Sequence, residues 1–172
     1  MTRIALLILA LSIAVSSCSS TSPSGMAVAS CAGGTATGTF TATVDGTNFV
    51  ATCLLAASSA NGIVALGATN IASGNASSYI DITFALQLNG TSLGPYTFTG
   101  VTTPPNANNG QVNVGGSQFW NVGGIAAGSS GMVTFTTLTA TRAVGKFSFT
   151  LTPSSGATGT KTVTNGSFDL TF

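Results

Sequence analysis

The feature that most constrains the fold is an alternation of apolar and polar residues, which recurs in short runs from Thr39 to Phe172. The cleanest run extends from Ile80 to Leu88, where Ile, Phe and Leu fill every second position. Such alternation is typical of a β-strand with one buried face, because successive side chains point to opposite sides. No window shows the spacing of an amphipathic helix. The pattern therefore predicts strands throughout this region.

Turn signals between the runs suggest how the strands connect. Asp45-Gly46 is a strong signal for a two-residue hairpin. The register of this hairpin pairs Val44 with Thr47 and, further back, Gly38 with Cys53. The other predicted strands are the runs at Ile63–Thr69, Tyr96–Phe98, Gln111–Val114, Gln118–Val122, Met132–Thr141, Phe147–Leu151 and Phe168–Phe172.

The number and spacing of these runs predict one all-β domain. About eight or nine strands would form either an antiparallel β-sandwich or a small closed barrel. The Phe residues are expected to dominate its core. There is no repeat of fixed period, so a solenoid or a propeller is not indicated.

Residues 1–17 have the features of a signal peptide. Arg3 supplies a positive charge, and the stretch from Ile4 to Val15 is apolar or small throughout. As a helix this stretch would reach about 18 Å, well short of the roughly 30 Å hydrocarbon core of a bilayer. We therefore interpret it as the apolar part of an export signal rather than as a membrane span.

The sequence Val15-Ser16-Ser17-Cys18 resembles the lipobox of bacterial lipoproteins. The resemblance implies that Cys18 is lipidated and begins the mature chain, which several acyl chains would hold stably in a membrane. The alternative is an ordinary export signal with a coincidental cysteine. Ser19 follows in place of Asp, which by resemblance to the sorting rules of enteric bacteria favours the outer membrane. The expected location is the cell envelope, on the periplasmic or the surface face.

Residues 18–38 are rich in Ser, Thr and Gly and lack any period, which indicates a flexible tether before the domain at 39–172. The tether contains Cys31, and Cys53 lies in a predicted strand. Since disulfides form in exported compartments, these two cysteines are a candidate disulfide. The alternative is two unpaired thiols, with Cys53 a small core residue.

Three segments carry a wider resemblance: Gly38–Phe49 (GTFTATVDGTNF), Val144–Phe149 (VGKFSF) and Val163–Phe172 (VTNGSFDLTF). Together they resemble a family of small bacterial lipoproteins of unknown function, whose members begin with a TATVDG-type hairpin and end with a GSFDLTF-type strand. The resemblance implies a lipoprotein with an all-β domain. It implies no activity.

The charge content argues against several classes of function. Only 4% of the 172 residues are charged, and His is absent. Without a basic patch, nucleic-acid binding is disfavoured. Without clustered carboxylates or ligand spacing, neither a metal site nor a cofactor is expected. The sequence also lacks Glu, so the commonest general acids and bases are missing and no catalytic residue is assigned. A carboxylate pair from Asp81 and Asp169 would require that their strands be neighbours.

Trp120, its neighbour Phe119, and Tyr96 are the candidate ligand-binding residues, because exposed aromatic rings stack on sugar faces. The alternative is that they pack in the core, as aromatic residues in β domains commonly do. The predicted function is a non-enzymatic, lipid-anchored module that binds or displays, with a glycan or an envelope protein as its partner.

Two other functions remain open at this point. The first is a carrier that holds a small apolar ligand inside a barrel. The second is a small outer-membrane barrel, because Phe168, Leu170 and Phe172 resemble the closing strand of such barrels, which ends on an aromatic residue. Most runs are, however, shorter than the roughly 9–11 residues that a membrane-spanning strand needs.

Overall fold

The computed structural model describes residues 36–60, 62–71, 79–90, 92–100 and 108–172. All regular structure in these ranges is β-strand, as the alternation predicts. The described strands number eleven: β1 (Thr37–Val44), β2 (Thr47–Val50), β3 (Cys53–Ala60), β4 (Ile63–Thr69), β5 (Ile80–Gln87), β6 (Tyr96–Thr99), β7 (Asn109–Val114), β8 (Gln118–Gly123), β9 (Ser130–Leu138), β10 (Arg142–Pro153) and β11 (Lys161–Thr171).

The strands form two antiparallel layers that meet at β10. Sheet A has the order β2-β1-β11-β10-β9-β6, and sheet B has the order β3-β4-β5-β7-β8. The last two residues of β10, Thr152 and Pro153, leave sheet A and pair with Asn121 and Trp120 of β8. Among the described strands the ladder is not closed, because its path ends at β2 and β3. The arrangement is a sandwich-like fold rather than the closed barrel that the sequence also allowed.

The first hairpin forms at the predicted turn but is shorter than predicted. Asp45 and Gly46 both have positive φ, 47° and 82°, as a tight hairpin turn requires. Val44 pairs with Thr47. The predicted pairing of Gly38 with Cys53 is wrong, because Gly38 pairs with Leu170 and Cys53 pairs with Thr69.

The chain changes sheet at Ala51 and Thr52. The Ala51 amide donates to the carbonyl of Phe40 in sheet A, and the Thr52 amide donates to the carbonyl of Thr69 in sheet B. One predicted strand is thereby divided into β2 and β3. This division is one reason why there are more strands than expected.

Phenylalanine rings fill the space between the two sheets. Phe84 of sheet B lies at the centre, with ring centroids 5.3–6.4 Å from five rings of sheet A. These five rings belong to Phe40, Phe98, Phe147, Phe149 and Phe168. All six side chains are buried. The expected Phe-dominated core is confirmed.

Regular structure extends a few residues before position 39, the expected start of the β domain. Ala36 is fully buried in the core, and β1 begins at Thr37. The predicted signal peptide and most of the predicted tether, including Cys18, lie outside the described residues. Within the described ranges, no helix has the length and apolar character needed to cross a bilayer.

Candidate binding site

The outer face of sheet B, which points away from the Phe core, carries three rows of residues that run across the strands. Strand register defines each row, because cross-strand partners lie side by side on one face. The rows are, from β4 to β8, the small row (Ala65, Ala85, Asn109, Gly123), the amide row (Gly67, Thr83, Gln111, Asn121) and the aspartate row (Thr69, Asp81, Asn113, Phe119).

A groove of about 620 Å³ lies over the small row and the amide row. Its lining covers four neighbouring strands but only three positions along each strand. At an interstrand spacing of about 4.8 Å and a rise of about 3.3 Å per residue, the groove is about 14 Å long across the strands and about 7 Å wide along them. Its volume is within the usual range for ligand sites.

The polar groups in the groove are neutral and partly preorganised. Gln111 Nε2 donates to Asn121 Oδ1 at 3.0 Å, which aligns the two amides across β7 and β8. Each amide has both donor and acceptor groups, and this single bond leaves part of that capacity for a ligand. Thr83, next to Gln111 in the row, adds a hydroxyl. None of the described residues that line the groove is charged.

A short, internally bonded loop forms a wall where β8 ends. In this segment, the Ile125 loop (Gly124–Ser129), the Ser129 hydroxyl donates to the Ala126 carbonyl at 2.6 Å and accepts the Gly123 amide at 2.9 Å. The Ala126 amide also donates to the Gly123 carbonyl. Ile125 is one of the residues that line the groove, and it is 88% exposed. The loop therefore holds an apolar side chain in water beside polar amides.

In the register of the sheet, Asp81 lies in the aspartate row, next to the amide row of the groove. Partial burial raises the pKa of Asp81, and the neighbouring Thr69 side chain partly opposes the rise. Asn113, its partner on β7, keeps a buried side-chain oxygen with no hydrogen-bond partner among the described residues. The aspartate row flanks the groove and does not line it.

Two of the three predicted aromatic candidates are buried. Trp120 is 6% exposed, its Nε1 donates to the carbonyl of Gly159 at 3.0 Å, and Lys161 Nζ lies 4.0 Å from the ring centroid. Tyr96 is equally buried, and its hydroxyl donates to the carbonyl of Ser92. These positions favour the core interpretation that the sequence left open. Phe119, by contrast, is half-buried on the outer face of sheet B.

The groove residues were not predicted as a site. The alternation in β5 does place Thr83 on the polar face, and the two predicted strands that form the β7–β8 hairpin do contain Gln111 and Asn121. The feature of the sequence that could have indicated the site is the presence of amide side chains on the polar faces of two consecutive predicted strands. The register that aligns this hairpin with β5 could not be predicted from the sequence.

The carboxylate pair considered from the sequence does not form. Asp81 lies on β5 in sheet B and Asp169 on β11 in sheet A, and these strands are not neighbours. Asp169 instead forms an ion pair with Arg142, at 2.9 Å. In the described ranges, no group of three or more His, Cys, Asp or Glu side chains is placed to hold a metal ion.

Cys53 takes part in a disulfide bond. Its predicted partner, Cys31, lies outside the described residues. The pairing of Cys31 with Cys53 therefore stays a prediction.

Comparison of the chain with protein-family models, curated proteins and solved structures finds no significant match. The resemblance to small bacterial lipoproteins stays a prediction. The groove and the predicted signal peptide are therefore the features of this chain that bear on its function.

Proposed function

We propose that this chain is a lipid-anchored protein of the bacterial cell envelope, and that its β-sandwich is a non-enzymatic binding module. The export signal and the lipobox at Cys18 support the location. The observation that carries the binding role is the neutral groove on the outer face of sheet B. A ligand would meet the protein there, on a sheet face exposed to the surrounding envelope.

The chemistry of the groove favours a neutral glycan as the ligand. Hydroxyl groups both donate and accept hydrogen bonds, and so do the side chains of Thr83, Gln111 and Asn121. Ile125 adds an apolar contact for the C–H face of a sugar ring. An envelope protein is the alternative partner, and the experiment below distinguishes the two.

The lining of the groove is the reason that we propose a binding role and assign no catalytic residue. None of its described residues is His, Cys, Lys, Asp or Glu, which are the usual acids, bases and nucleophiles of enzymes. Asp81, in the flanking row, has no second carboxylate beside it in the register of the sheet.

The packing of the interior argues against the apolar-ligand carrier. The six core Phe rings described above occupy the space between the sheets in which a carrier would hold its ligand. We therefore expect fatty acids to leave the melting temperature unchanged.

A variant that fills the groove tests the proposal. Ala85 lies in the small row between Ala65 and Asn109, with its side chain directed into the groove. Ala85→Tyr would occupy the groove with a residue that is favourable in strands. The matched control is Thr134→Tyr, on the outer face of sheet A.

We expect thermal-shift and affinity-electrophoresis measurements with neutral polysaccharides to show binding by the wild type and the control but not by Ala85→Tyr. Binding of an envelope protein that Ala85→Tyr blocks would support the module with the alternative partner. If Ala85→Tyr binds every ligand as the wild type does, the groove is not the site and the proposal fails.

A further inference from the structure

We propose that the groove binds one unbranched, uncharged glycan chain that lies across the strands, with successive sugar units on successive strands. This inference rests on the proposed function and specifies its ligand. It follows from the shape of the groove, the kind of group that lines it and the absence of charge among the described residues of its lining.

The shape indicates an elongated ligand. The groove is about twice as long across the strands as along them, with a length of about three interstrand spacings. A chain of about three ring-sized units, one for each spacing of about 4.8 Å, fits this length. A single sugar would leave most of the lining without contact.

The amide row supplies polar groups at that same interval. Thr83, Gln111 and Asn121 are consecutive cross-strand partners on β5, β7 and β8. A regular polymer that presents equivalent hydroxyls at each unit can repeat the same contact from one strand to the next. Because the Gln111–Asn121 hydrogen bond already orders two of these side chains, less conformational entropy is lost when the ligand binds.

The groove lies on a sheet face, which argues against an extended peptide as the ligand. Peptides that bind sheets usually add a strand at an edge, where backbone groups are free. Here β4, β5, β7 and β8 are bonded to one another in a continuous ladder, so their backbone groups are already paired. Only side chains remain for recognition, and those of the amide row are hydroxyl and amide groups.

The charge of the lining selects among glycans. An acidic polymer would need Lys or Arg to compensate its desolvated carboxylates or phosphates. The described lining contains neither, and the nearest ionisable group in the sheet register is the acidic Asp81. Acidic glycans should therefore bind more weakly than neutral ones.

Binding of neutral oligosaccharides of increasing length tests the inference. The probes are unbranched gluco-, manno- and xylo-oligosaccharides, from the monosaccharide upward, titrated calorimetrically against the full-length chain in detergent. We expect affinity to rise by about tenfold with each added unit, up to about three units, and then to level off.

Variants on different strands test whether the glycan lies across the strands or along them. Thr83→Val on β5 and Asn121→Ala on β8 should each weaken binding of the longer oligosaccharides by about tenfold. Asn113→Ala is the matched control, because Asn113 shares β7 with Gln111 but lies outside the groove. It should bind all probes as the wild type does. Melting temperatures of the variants establish that each one is folded.

Several outcomes would overturn the inference. A monosaccharide that binds as tightly as the longer chains would replace the extended site by a single-sugar pocket. Loss of binding in Asn113→Ala, without loss in Thr83→Val or Asn121→Ala, would show that the glycan lies along β7 rather than across the strands. If no neutral glycan binds, while another ligand binds in a manner that Ala85→Tyr blocks, the inference fails and the binding module stands. If Ala85→Tyr blocks nothing, both fail.

Discussion

Lys161 connects three parts of the molecule through one side chain. It belongs to β11, its ammonium group lies 4.0 Å from the ring centroid of Trp120 in sheet B, and it contacts Asp45 Oδ2 in the first turn at 2.8 Å. A cation over the face of an indole ring is attracted by the π electrons. Trp120 thus has one face occupied by a residue of its own chain, which explains why its ring is not open for stacking on a sugar.

Of the two ion pairs among the described residues, the pair of Asp45 and Lys161 is reinforced by hydrogen bonds from a third residue, Thr162. Asp45 accepts hydrogen bonds from Lys161 Nζ and from the backbone amide of Thr162, at 2.8 and 2.7 Å. Burial raises the pKa of Asp45, but the hydrogen bonds and the charge of Lys161 outweigh this effect, so the pKa lies below its ordinary value. The ion pair therefore stabilises the fold at neutral pH. The stabilisation is lost as the pH falls through the lowered pKa.

Asp45→Asn tests this assignment. Asn accepts the positive φ of the turn and can keep the hydrogen bond from Thr162, so the substitution mainly removes the charge. We expect a loss of about 1 kcal/mol in the free energy of unfolding at pH 7, measured by urea denaturation. The difference from the wild type should vanish at acid pH.

Asp169→Asn is the control for that measurement. The Arg142–Asp169 pair has both side chains about half exposed, at 51% and 46%, and solvent screens such pairs strongly. Because Arg142 nevertheless donates to both carboxylate oxygens of Asp169, we expect a loss of stability that is smaller than for Asp45→Asn. Equal effects of the two substitutions would contradict the interpretation of the Asp45 pair.

At the scale of elements, the ladder between β1 and β11 depends on a glycine. Gly38 has a φ of 132°, and a Cβ atom at this position would overlap the carbonyl oxygen of Asp169 on β11. Any other residue would force the two strands apart. Gly46, in the first turn, also has positive φ but has open space around it.

Gly38→Ala should therefore destabilise the protein more than Gly46→Ala. We expect about 1 kcal/mol for Gly46→Ala, from backbone strain alone, and at least about 2 kcal/mol for Gly38→Ala, from strain together with the displaced strand. Urea denaturation of both variants measures the difference. A similar cost at both positions would show that β11 accommodates the added methyl group.

Strands and turns could be predicted from the sequence better than the pairing of one strand with another. Alternation correctly assigns the buried face of β5, and Asp45-Gly46 correctly locates the first turn. The change of sheet at Ala51 and Thr52 was missed, because buried Ala51 and Cys53 alternate with exposed Thr52 as they would in a continuous strand. Local periodicity reports which side of a strand is buried. It does not report which sheet the strand joins.

The candidate site was harder to predict for the same reason. Thr83, Gln111 and Asn121 form one row only because β5, β7 and β8 align in a particular register. Nothing within any single strand specifies that alignment. The sequence instead drew attention to Trp120, a conspicuous residue whose burial depends on Gly159 and Lys161, about forty positions away in the chain.

At the scale of the whole molecule, the proposed anchor determines where the module works. Cys18→Ala should remove the acylation site, so the protein should move from the membrane pellet to the soluble fraction when cells are fractionated. Cys31→Ala, which leaves the lipobox unchanged, should stay in the pellet. Metabolic labelling with a fatty acid should mark the wild type and Cys31→Ala only. Membrane retention and labelling of Cys18→Ala would rule out this anchor.

The pairing of β1 with β11 has a consequence for how the protein is assembled. Thr41 and Ser167, whose hydroxyl oxygens lie 2.9 Å apart, are separated by 126 positions in the chain. Ladders between such distant segments form slowly, because a long loop must close before any contact is gained. A chain threaded through a translocation pore with its N-terminus first would present Phe40 to water until its last strand had followed. In the proposed export, sheet A could be completed only after β11 had crossed the membrane, and the chain would need protection from aggregation until then.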